Sequence, residues 1–236
     1  MRILALETSA KSVSAAVTED GAVLAQSFQC TGLTHSRTLL PMVDALLQNA
    51  ELPLSSVDLF AIAAGPGSFT GLRIGVSALK GLAWAEGKPC AGVSTLDAMA
   101  QNLAHLDGAM LICAMDARRN QVYNALFEAQ SGALRRLCDD RAVGLDELTA
   151  EVRNDPRQKI VLGDGAKLTY DHLTQNGVDC AIAPVALRYQ DAVGVALAAA
   201  EAEPCSAQEL SIAYLRVSQA ERERKARLER EANQQE

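Results

Sequence analysis

Aromatic residues are scarce in this chain, and it has no long hydrophobic run. Only 4% of its 236 residues are Phe, Trp or Tyr, although 49% are hydrophobic. A core built mainly from Ala, Val and Leu is typical of α/β proteins. No apolar run is long enough to span a membrane, and the N-terminus begins directly with a strand pattern instead of a signal peptide. The sequence therefore predicts a cytoplasmic protein without membrane contact.

Paired metal-ligand and redox motifs are also missing. The six cysteines include no Cys-x-x-Cys, so we expect small buried thiols in a reducing compartment. The three histidines, His35, His105 and His172, form no His-x-x-x-His pair, and no metal site is predicted. A formal net charge of −7 argues against a broad nucleic-acid surface.

Two similar halves follow from the hydrophobic periodicity. Strand patterns occur at 2–7, 12–18, 22–28, 59–64 and 90–93, and again at 110–115, 121–128, 133–138, 160–162 and 179–182. Helical patterns occur at 34–50, 71–86, 96–106, 145–152, 168–176 and 191–201. Each half thus reads β-β-β-α-β-α-β-α. We expect Thr34 to cap its helix and Pro41 to kink it or delay its start.

Three antiparallel strands followed by alternating helices and strands give a mixed sheet with helices on its faces. Duplication of this unit is the architecture of the actin, hexokinase and Hsp70 class, so we predict an α/β protein with the duplicated actin-like, RNase H-like ATPase (ASKHA) fold. The predicted divisions are a first lobe at 1–107, a second lobe at 108–203, and a C-terminal segment and charged tail at 204–236 that returns to the first lobe. We expect the last part, Ser218–Glu236, to be a solvated helix or frayed tail, and the alternative is that it contacts tRNA or a partner.

A glycine-rich loop joins the fourth strand pattern to a long helix. A loop in this position points backbone N–H groups at an anion, but no Gly-Lys-Ser/Thr closes it and its spacing is not that of a dinucleotide fingerprint. Binding of a phosphate and simple packing are both open at this point. Candidate anion- or nucleotide-binding residues lie in this loop and in the turns after the first strand of each half. They are Thr8, Ser9, Gly65, Gly67, Ser68, Asp116, Gly163 and Gly165.

The helix after this loop has more small and apolar surface than contact with one sheet requires. One stripe contains Gly71, Gly75 and Ala78, and two glycines in one stripe lower helix propensity. Close packing within the lobe and contact with a partner protein are equal alternatives here. The helix at 34–50 favours a partner, because Leu40 and Leu47 form a second apolar line beyond its core stripe.

Catalytic patterns are weak. Ser68 and Thr70 have no base nearby in sequence, and Gly-x-Ser-x-Gly is absent, which disfavours a nucleophile. The first turn has Ala10-Lys11 in place of the glycine that close phosphate approach usually needs. Asp116-Ala117-Arg118-Arg119 is either an anion contact or an ordinary hairpin tip.

Several segments of the chain form a specific combination. They are ILALETS at 3–9, HSR at 35–37 with LLP at 39–41, GPGSFTGLRIGVSALK at 65–80, GVSTL at 92–96, MDARRNQV at 115–122 and YLR at 214–216. Together they resemble the TsaB (YeaZ) family, the dimerisation subunit of the bacterial tRNA threonylcarbamoyladenosine machinery. The similarity covers nearly the whole chain and is densest in the first half.

The resemblance implies a non-catalytic scaffold that pairs with the transferase TsaD through the helices at 34–50 and 71–86. TsaE, a small ATPase, docks on that pair, and TsaC supplies threonylcarbamoyl-adenylate. TsaD then modifies N6 of the adenosine 3′ of the anticodon in ANN-decoding tRNAs, so tRNA is contacted indirectly. Without TsaD, members form homodimers through the same face. The implied partner-binding residues are His35, Leu39, Leu40, Val43, Leu47, Arg73, Val76 and Lys80.

The resemblance also implies that TsaD, the paralogue, carries a metal-binding His-x-x-x-His, whereas the matching position here starts at His35 and has Leu39 four residues on. The chain departs from the family pattern at two places: Glu7 stands where many members have Asp, and the charged tail is longer. No cofactor is expected beyond weak or partner-dependent ATP or ADP binding. The rival interpretation is a stand-alone actin-like ATPase or small-molecule kinase that uses Glu7 or Asp116. A protease has only fold-level analogy in its favour.

Overall fold

The first lobe is built on a five-stranded mixed sheet. A computed structural model describes residues 1–216 of the chain. The strands of this sheet are β1 Arg2–Glu7, β2 Val13–Glu19, β3 Ala22–Gln29, β4 Leu59–Gly65 and β5 Cys90–Ser94. Their order is β3-β2-β1-β4-β5, with β1, β2 and β3 antiparallel and β1, β4 and β5 parallel. All five strands were predicted from the sequence.

The second lobe repeats this topology. Its strands are β6 Met110–Asp116, β7 Gln121–Gln130, β8 Ala133–Arg136, β9 Arg141–Gly144, β10 Lys159–Leu162 and β11 Ala181–Ile182. The order β11-β10-β6-β7-β8 places β6 between β7 and β10, as β1 lies between β2 and β4 in the first lobe. The predicted duplication and the actin-like α/β fold are confirmed. Strand β9, which pairs with β7, was not predicted.

Seven helices cover the two sheets within the described residues. They are α1 His35–Asn49, α2 Phe69–Glu86, α3 Thr95–Gln101, α4 Leu145–Val152, α5 Ala166–Gln175, α6 Val185–Arg188 and α7 Ala192–Ala199. The four-residue α6 was not predicted. Helix α3 ends at Gln101, five residues before its predicted end, although Leu103 remains buried beyond it.

The predicted start of α1 is confirmed in part. Thr34 occupies the N-cap position, as expected, but its side chain makes no capping hydrogen bond. The late start was wrong, because the helix begins at His35, six residues before Pro41, whereas a kink at Pro41 stays a prediction. Proline inside a helix costs about 3 kcal/mol. Burial of the stripe containing Leu39, Val43 and Leu46 offsets that cost.

The last helix of each half packs on the sheet of the other half. Helix α7 buries Val195 and Ala196 in an apolar cluster with Ile3 and Ala61 of the first sheet. Helix α3 joins the core of the second lobe, since Leu96 and Met99 lie in one cluster with Leu111 and Phe127. The predicted divisions at 107/108 and 203/204 stay a prediction.

After α7 the chain returns to the first lobe and then reaches back to the second. Cys205 pairs with Cys90 at the start of β5, and the Ala213 N–H donates to the Ala64 carbonyl at 2.8 Å. Arg216 donates to the Ala117 carbonyl at 2.8 Å and lies over the Tyr123 ring. The predicted charged tail, Ser218–Glu236, lies outside the described residues. Up to Arg216, no helix combines the length and apolar character of a membrane span.

Candidate functional site

The turn after β1 packs directly onto the glycine loop. Glu7, Thr8 and Ser9 are completely buried. The Ser9 carbonyl accepts from the Ser68 N–H at 2.7 Å, and the Thr8 hydroxyl donates to the Gly71 carbonyl at 2.9 Å. A segment of the protein itself therefore occupies the concave side of the loop.

The glycines of the loop and of α2 make this approach possible. A Cβ on Gly67 would lie 2.5 Å from the Ser9 carbonyl oxygen. A Cβ on Gly71 would overlap the Thr8 carbonyl oxygen, and one on Gly75 would overlap the Thr8 hydroxyl. Of the two explanations for the glycine stripe, packing within the lobe accounts for these positions.

Two N–H groups at the loop and the start of α2 have partners within the protein. The Ser68 N–H is bound to Ser9, and the Ser68 hydroxyl caps α2 by accepting from the Gly71 N–H at 3.3 Å. Gly65 lies against the C-terminal segment, where a Cβ would overlap the Ala213 carbonyl oxygen. Anion binding by Thr8, Ser9 and this loop stays a prediction, and these contacts weaken it.

The corresponding loop of the second lobe has the same relation to β6. A Cβ on Gly163 would overlap the Ala114 carbonyl oxygen, and one on Gly165 would lie 2.8 Å from the Asp116 backbone nitrogen. The exposed Asp116 accepts the Arg118 N–H at 2.7 Å, as a turn residue does. The structure thus brings Asp116, Gly163 and Gly165 together, while their role toward a nucleotide stays a prediction.

Glu7 is buried and is affected by the charges of two half-buried acids, Asp164 and Asp191, which were not among the predicted site residues. Burial raises the pKa of Glu7 to about 7, and the charges of Asp191 and Asp164 act in the same direction. Burial likewise raises the pKa of Asp164, which accepts from Gln190 Nε2 at 3.1 Å. Glu7 Oε1 accepts the Ser9 N–H, while Glu7 Oε2 and Gln190 Oε1 are buried without a hydrogen-bond partner. Within residues 1–216, no three His, Cys, Asp or Glu side chains converge as metal ligands.

The raised pKa of Glu7 predicts a pH-dependent cost to stability. The pKa of the carboxyl is about 4.5 in the unfolded chain, whereas in the folded protein it is about 7. Stability is therefore lost as the pH rises through this window, by about 3 kcal/mol at about 1.4 kcal/mol per pKa unit. Glu7→Gln should remove this loss, so its unfolding free energy should fall less than that of the wild type between pH 4.5 and 8. Urea unfolding across this range measures both slopes, and equal slopes would show that Glu7 ionises normally.

An apolar groove runs between α1 and α2. It has a volume of about 450 Å³ and is bordered by Asp44, Gln48 and Glu51. Its apolar lining comes from both helices and the loop after α1, namely Leu40, Val43, Leu47, Leu52, Leu54 and Leu82. Leu40 is 48% exposed, and farther along α2 Trp84 is 78% exposed. The groove is an uncovered apolar surface, and Trp84 is a separate exposed apolar side chain on α2.

The predicted partner-binding residues separate into three groups. Leu40, Val43 and Leu47 line the groove. Leu39 and Val76 are only 1% and 5% exposed in the first-lobe core, and Val43 and Leu47 are also buried, at 3% and 8%, so these side chains offer little surface to a partner in the free chain. Their part in partner binding stays a prediction.

The polar candidates have partners within the lobe. His35 Nε2 lies 2.8 Å from the Ala10 carbonyl. Arg73 donates to the Tyr214 hydroxyl at 3.0 Å, and Lys80 donates to the Gln208 carbonyl at 3.4 Å. The C-terminal segment thus lies along one flank of α2. Sequence reasoning did not choose Leu82 or Trp84, although a tryptophan on the outward face of a helix was an available signal.

Comparison with known proteins gives consistent matches. Residues 29–226 match the family model described as TsaD, tRNA N6-adenosine threonylcarbamoyltransferase. The chain is 33% identical to "tRNA threonylcarbamoyladenosine biosynthesis protein TsaB" of Bacillus subtilis over 168 residues, which cover 71% of this chain and 73% of that protein. It is 37% identical to the protein of that name in Escherichia coli over 152 residues, or 64% of this chain and 65% of the relative. The solved structure "YeaZ from Pseudomonas aeruginosa" superposes with a TM-score of 0.77 at 30% identity, covering 91% of this chain and 99% of that one.

Proposed function

The chain belongs to the TsaB family of tRNA threonylcarbamoyladenosine biosynthesis proteins, and from this premise we propose that it is the non-catalytic subunit that pairs with the transferase TsaD. In this role it supports transfer of the threonylcarbamoyl group to N6 of the tRNA adenosine 3′ of the anticodon. TsaE docks on the pair, and the tRNA is reached through the complex. When TsaD is absent, the chain forms a homodimer through the same face.

The groove between α1 and α2 is the observation that carries the proposal. It combines an apolar lining with a rim that includes Asp44 and Glu51. Protein interfaces have this arrangement, with an apolar centre that excludes water and a polar border that stays hydrated. Leu40 and Trp84 are large exposed apolar side chains on the same two helices.

The non-catalytic role is supported by how the first lobe uses its glycine loop. In nucleotide-binding members of this fold, the first turn and the loop leave their N–H groups to phosphate. Here the Ser68 N–H donates to the Ser9 carbonyl, and the Gly71 N–H donates to the Ser68 hydroxyl. Thr8 fills the space beside Gly71 and Gly75. Displacement of this buried turn would be needed before a phosphate could approach.

Reconstitution tests the function directly. TsaC, TsaD and TsaE are incubated with threonine, bicarbonate, ATP and unmodified ANN-decoding tRNA, with and without this chain. Threonylcarbamoyladenosine should form only when the chain is present, as measured by mass spectrometry of digested tRNA. Full modification without the chain would contradict the proposal. So would ATP turnover by the chain alone that is lost in Glu7→Gln, which would favour the stand-alone ATPase.

A further inference from the structure

Two cysteines that are far apart in sequence face each other where the C-terminal segment meets the first sheet. Cys90 begins β5, and Cys205 lies opposite it in an antiparallel bridge. Each residue donates its N–H to the carbonyl of the other, and both distances are 2.8 Å. Directly opposed residues of an antiparallel pair project their side chains to the same face. The two thiols are therefore neighbours.

The backbone spacing of this bridge matches that of disulfide-bonded residues. Cα atoms of a hydrogen-bonded antiparallel pair lie about 5.5 Å apart, and disulfides span Cα separations of about 4.4–6.8 Å. The Cβ atoms of such a pair are farther apart than the roughly 3.8 Å mean of disulfides, so closure requires a small shift and leaves some strain. Strained disulfides are the ones that are readily reduced again.

The surroundings differ between the two thiols. Cys90 is fully buried in the first-lobe core, whereas Cys205 is half-buried at its border. Burial raises the pKa of Cys90 to about 11 and also raises the pKa of Cys205, while the positive charge of Lys80 favours both thiolates. Cys205 is the thiol that a small oxidant reaches first.

We propose that Cys90 and Cys205 form a redox-sensitive pair that a peroxide converts into a reversible disulfide. The Cys205 thiolate attacks the peroxide, the O–O bond breaks, and a sulfenic acid forms with release of water after protonation. The Cys90 thiolate then attacks the Cys205 sulfur, forming the S–S bond and releasing a second water. In total, two thiols and one hydrogen peroxide give one disulfide and two waters.

The disulfide would fasten the C-terminal segment to β5. This segment accepts the Lys80 hydrogen bond at Gln208, lies over Gly65 at Ala213 and contacts Arg73 through Tyr214. Two backbone hydrogen bonds hold the bridge in the reduced protein, whereas a covalent bond would prevent the segment from leaving α2. Oxidation would therefore hold the C-terminal segment in place along α2, one of the two helices that border the proposed partner groove.

Thiol mapping tests the pair. The full chain is reduced, freed of reductant and treated with graded hydrogen peroxide, and its intact mass and free thiols are measured. Wild-type protein should lose two hydrogen atoms and two of its six free thiols, and fragmentation should link Cys90 to Cys205. Cys205→Ser and Cys90→Ala should each lack this linked species, whereas Cys138→Ser in the second lobe should retain it. Linkage that excludes either cysteine, or exhaustive oxidation without linkage, would overturn the proposal.

Limited proteolysis measures the predicted fastening. Cleavage within 203–213 should be several-fold slower in oxidised than in reduced wild-type protein, and dithiothreitol should restore the faster rate. In Cys205→Ser, peroxide should leave the rate unchanged. Equal cleavage of oxidised and reduced wild-type protein, despite a mapped disulfide, would overturn the claim that the disulfide holds the C-terminal segment against β5. Neither readout depends on TsaD, so both are independent of the proposed function.

Discussion

Replacing Gly71 with alanine is expected to lower the free energy of unfolding by about 3 kcal/mol, which is at the upper end of overpacking effects. The new methyl group would overlap the backbone carbonyl oxygen of Thr8, and a backbone atom cannot move aside as a flexible side chain can. The same displacement would lengthen the hydrogen bond from the Thr8 hydroxyl to the Gly71 carbonyl. Urea unfolding followed by circular dichroism measures the change.

Gly81 is the matched control on the same helix. It is exposed, and a Cβ there would meet no other atom within 4 Å. Alanine favours a helix over glycine by about 1 kcal/mol, so Gly81→Ala should be neutral or stabilising. If Gly71→Ala and Gly81→Ala changed stability alike, the turn containing Thr8 would not be held against α2 as the structure places it.

Leu40→Glu is expected to weaken binding of TsaD at least about thirtyfold, which corresponds to about 2 kcal/mol at an interface hot spot. Binding of a partner would bury the new carboxylate in an apolar groove beside Leu82 and Leu47, where it has no cation to pair with in the groove lining. Leu40 is already half exposed in the free chain, so the substitution should change the free energy of unfolding of the chain by less than about 0.5 kcal/mol. Isothermal calorimetry with purified TsaD measures the affinity.

Val185→Glu provides the control for added charge. Val185 lies on α6 of the second lobe and is 68% exposed, so the substitution adds the same charge on another surface. Its TsaD affinity should equal that of the wild type. Unchanged affinity in a correctly folded Leu40→Glu variant would place the partner contact elsewhere. Val76→Glu is not a suitable test, because that side chain is buried and its loss would unfold the lobe.

Much of the architecture could be predicted because its patterns are local. Strand β1 and helix α4 have the predicted bounds, since a short apolar run and a regular helical stripe each carry a clear period. Strand β9 and helix α6 have four residues each, too few to show any period. The apolar pattern beyond Gln101 predicted a longer α3, but Leu103, which is buried, and Leu106, which is partly buried, lie in turns after the helix.

The candidate site could be predicted only in part, because its decisive contacts are distant in sequence. The glycine stripe indicated that a backbone approaches α2, but Thr8 lies 63 residues before Gly71 and nothing local connects them. Tyr214 lies 141 residues after Arg73, so covering of that flank of α2 was equally hidden. Helical spacing separated Leu40 and Leu47 from the core stripe of α1, but only the packed lobe shows that Leu47 is 8% exposed whereas Leu40 is 48% exposed.

The position of α7 sets a limit on how this protein can be synthesised. The apolar face of the first sheet that includes Ile3 and Ala61 is covered by residues 192–199, which leave the ribosome only after most of the second lobe. A nascent chain must therefore carry an uncovered half-core through nearly the whole of its translation, the condition in which aggregation competes with folding. The two lobes resemble each other as a duplicated unit, yet part of the core of the first depends on a helix from the end of the second. A chain cut before α7 should therefore need a chaperone to remain in solution.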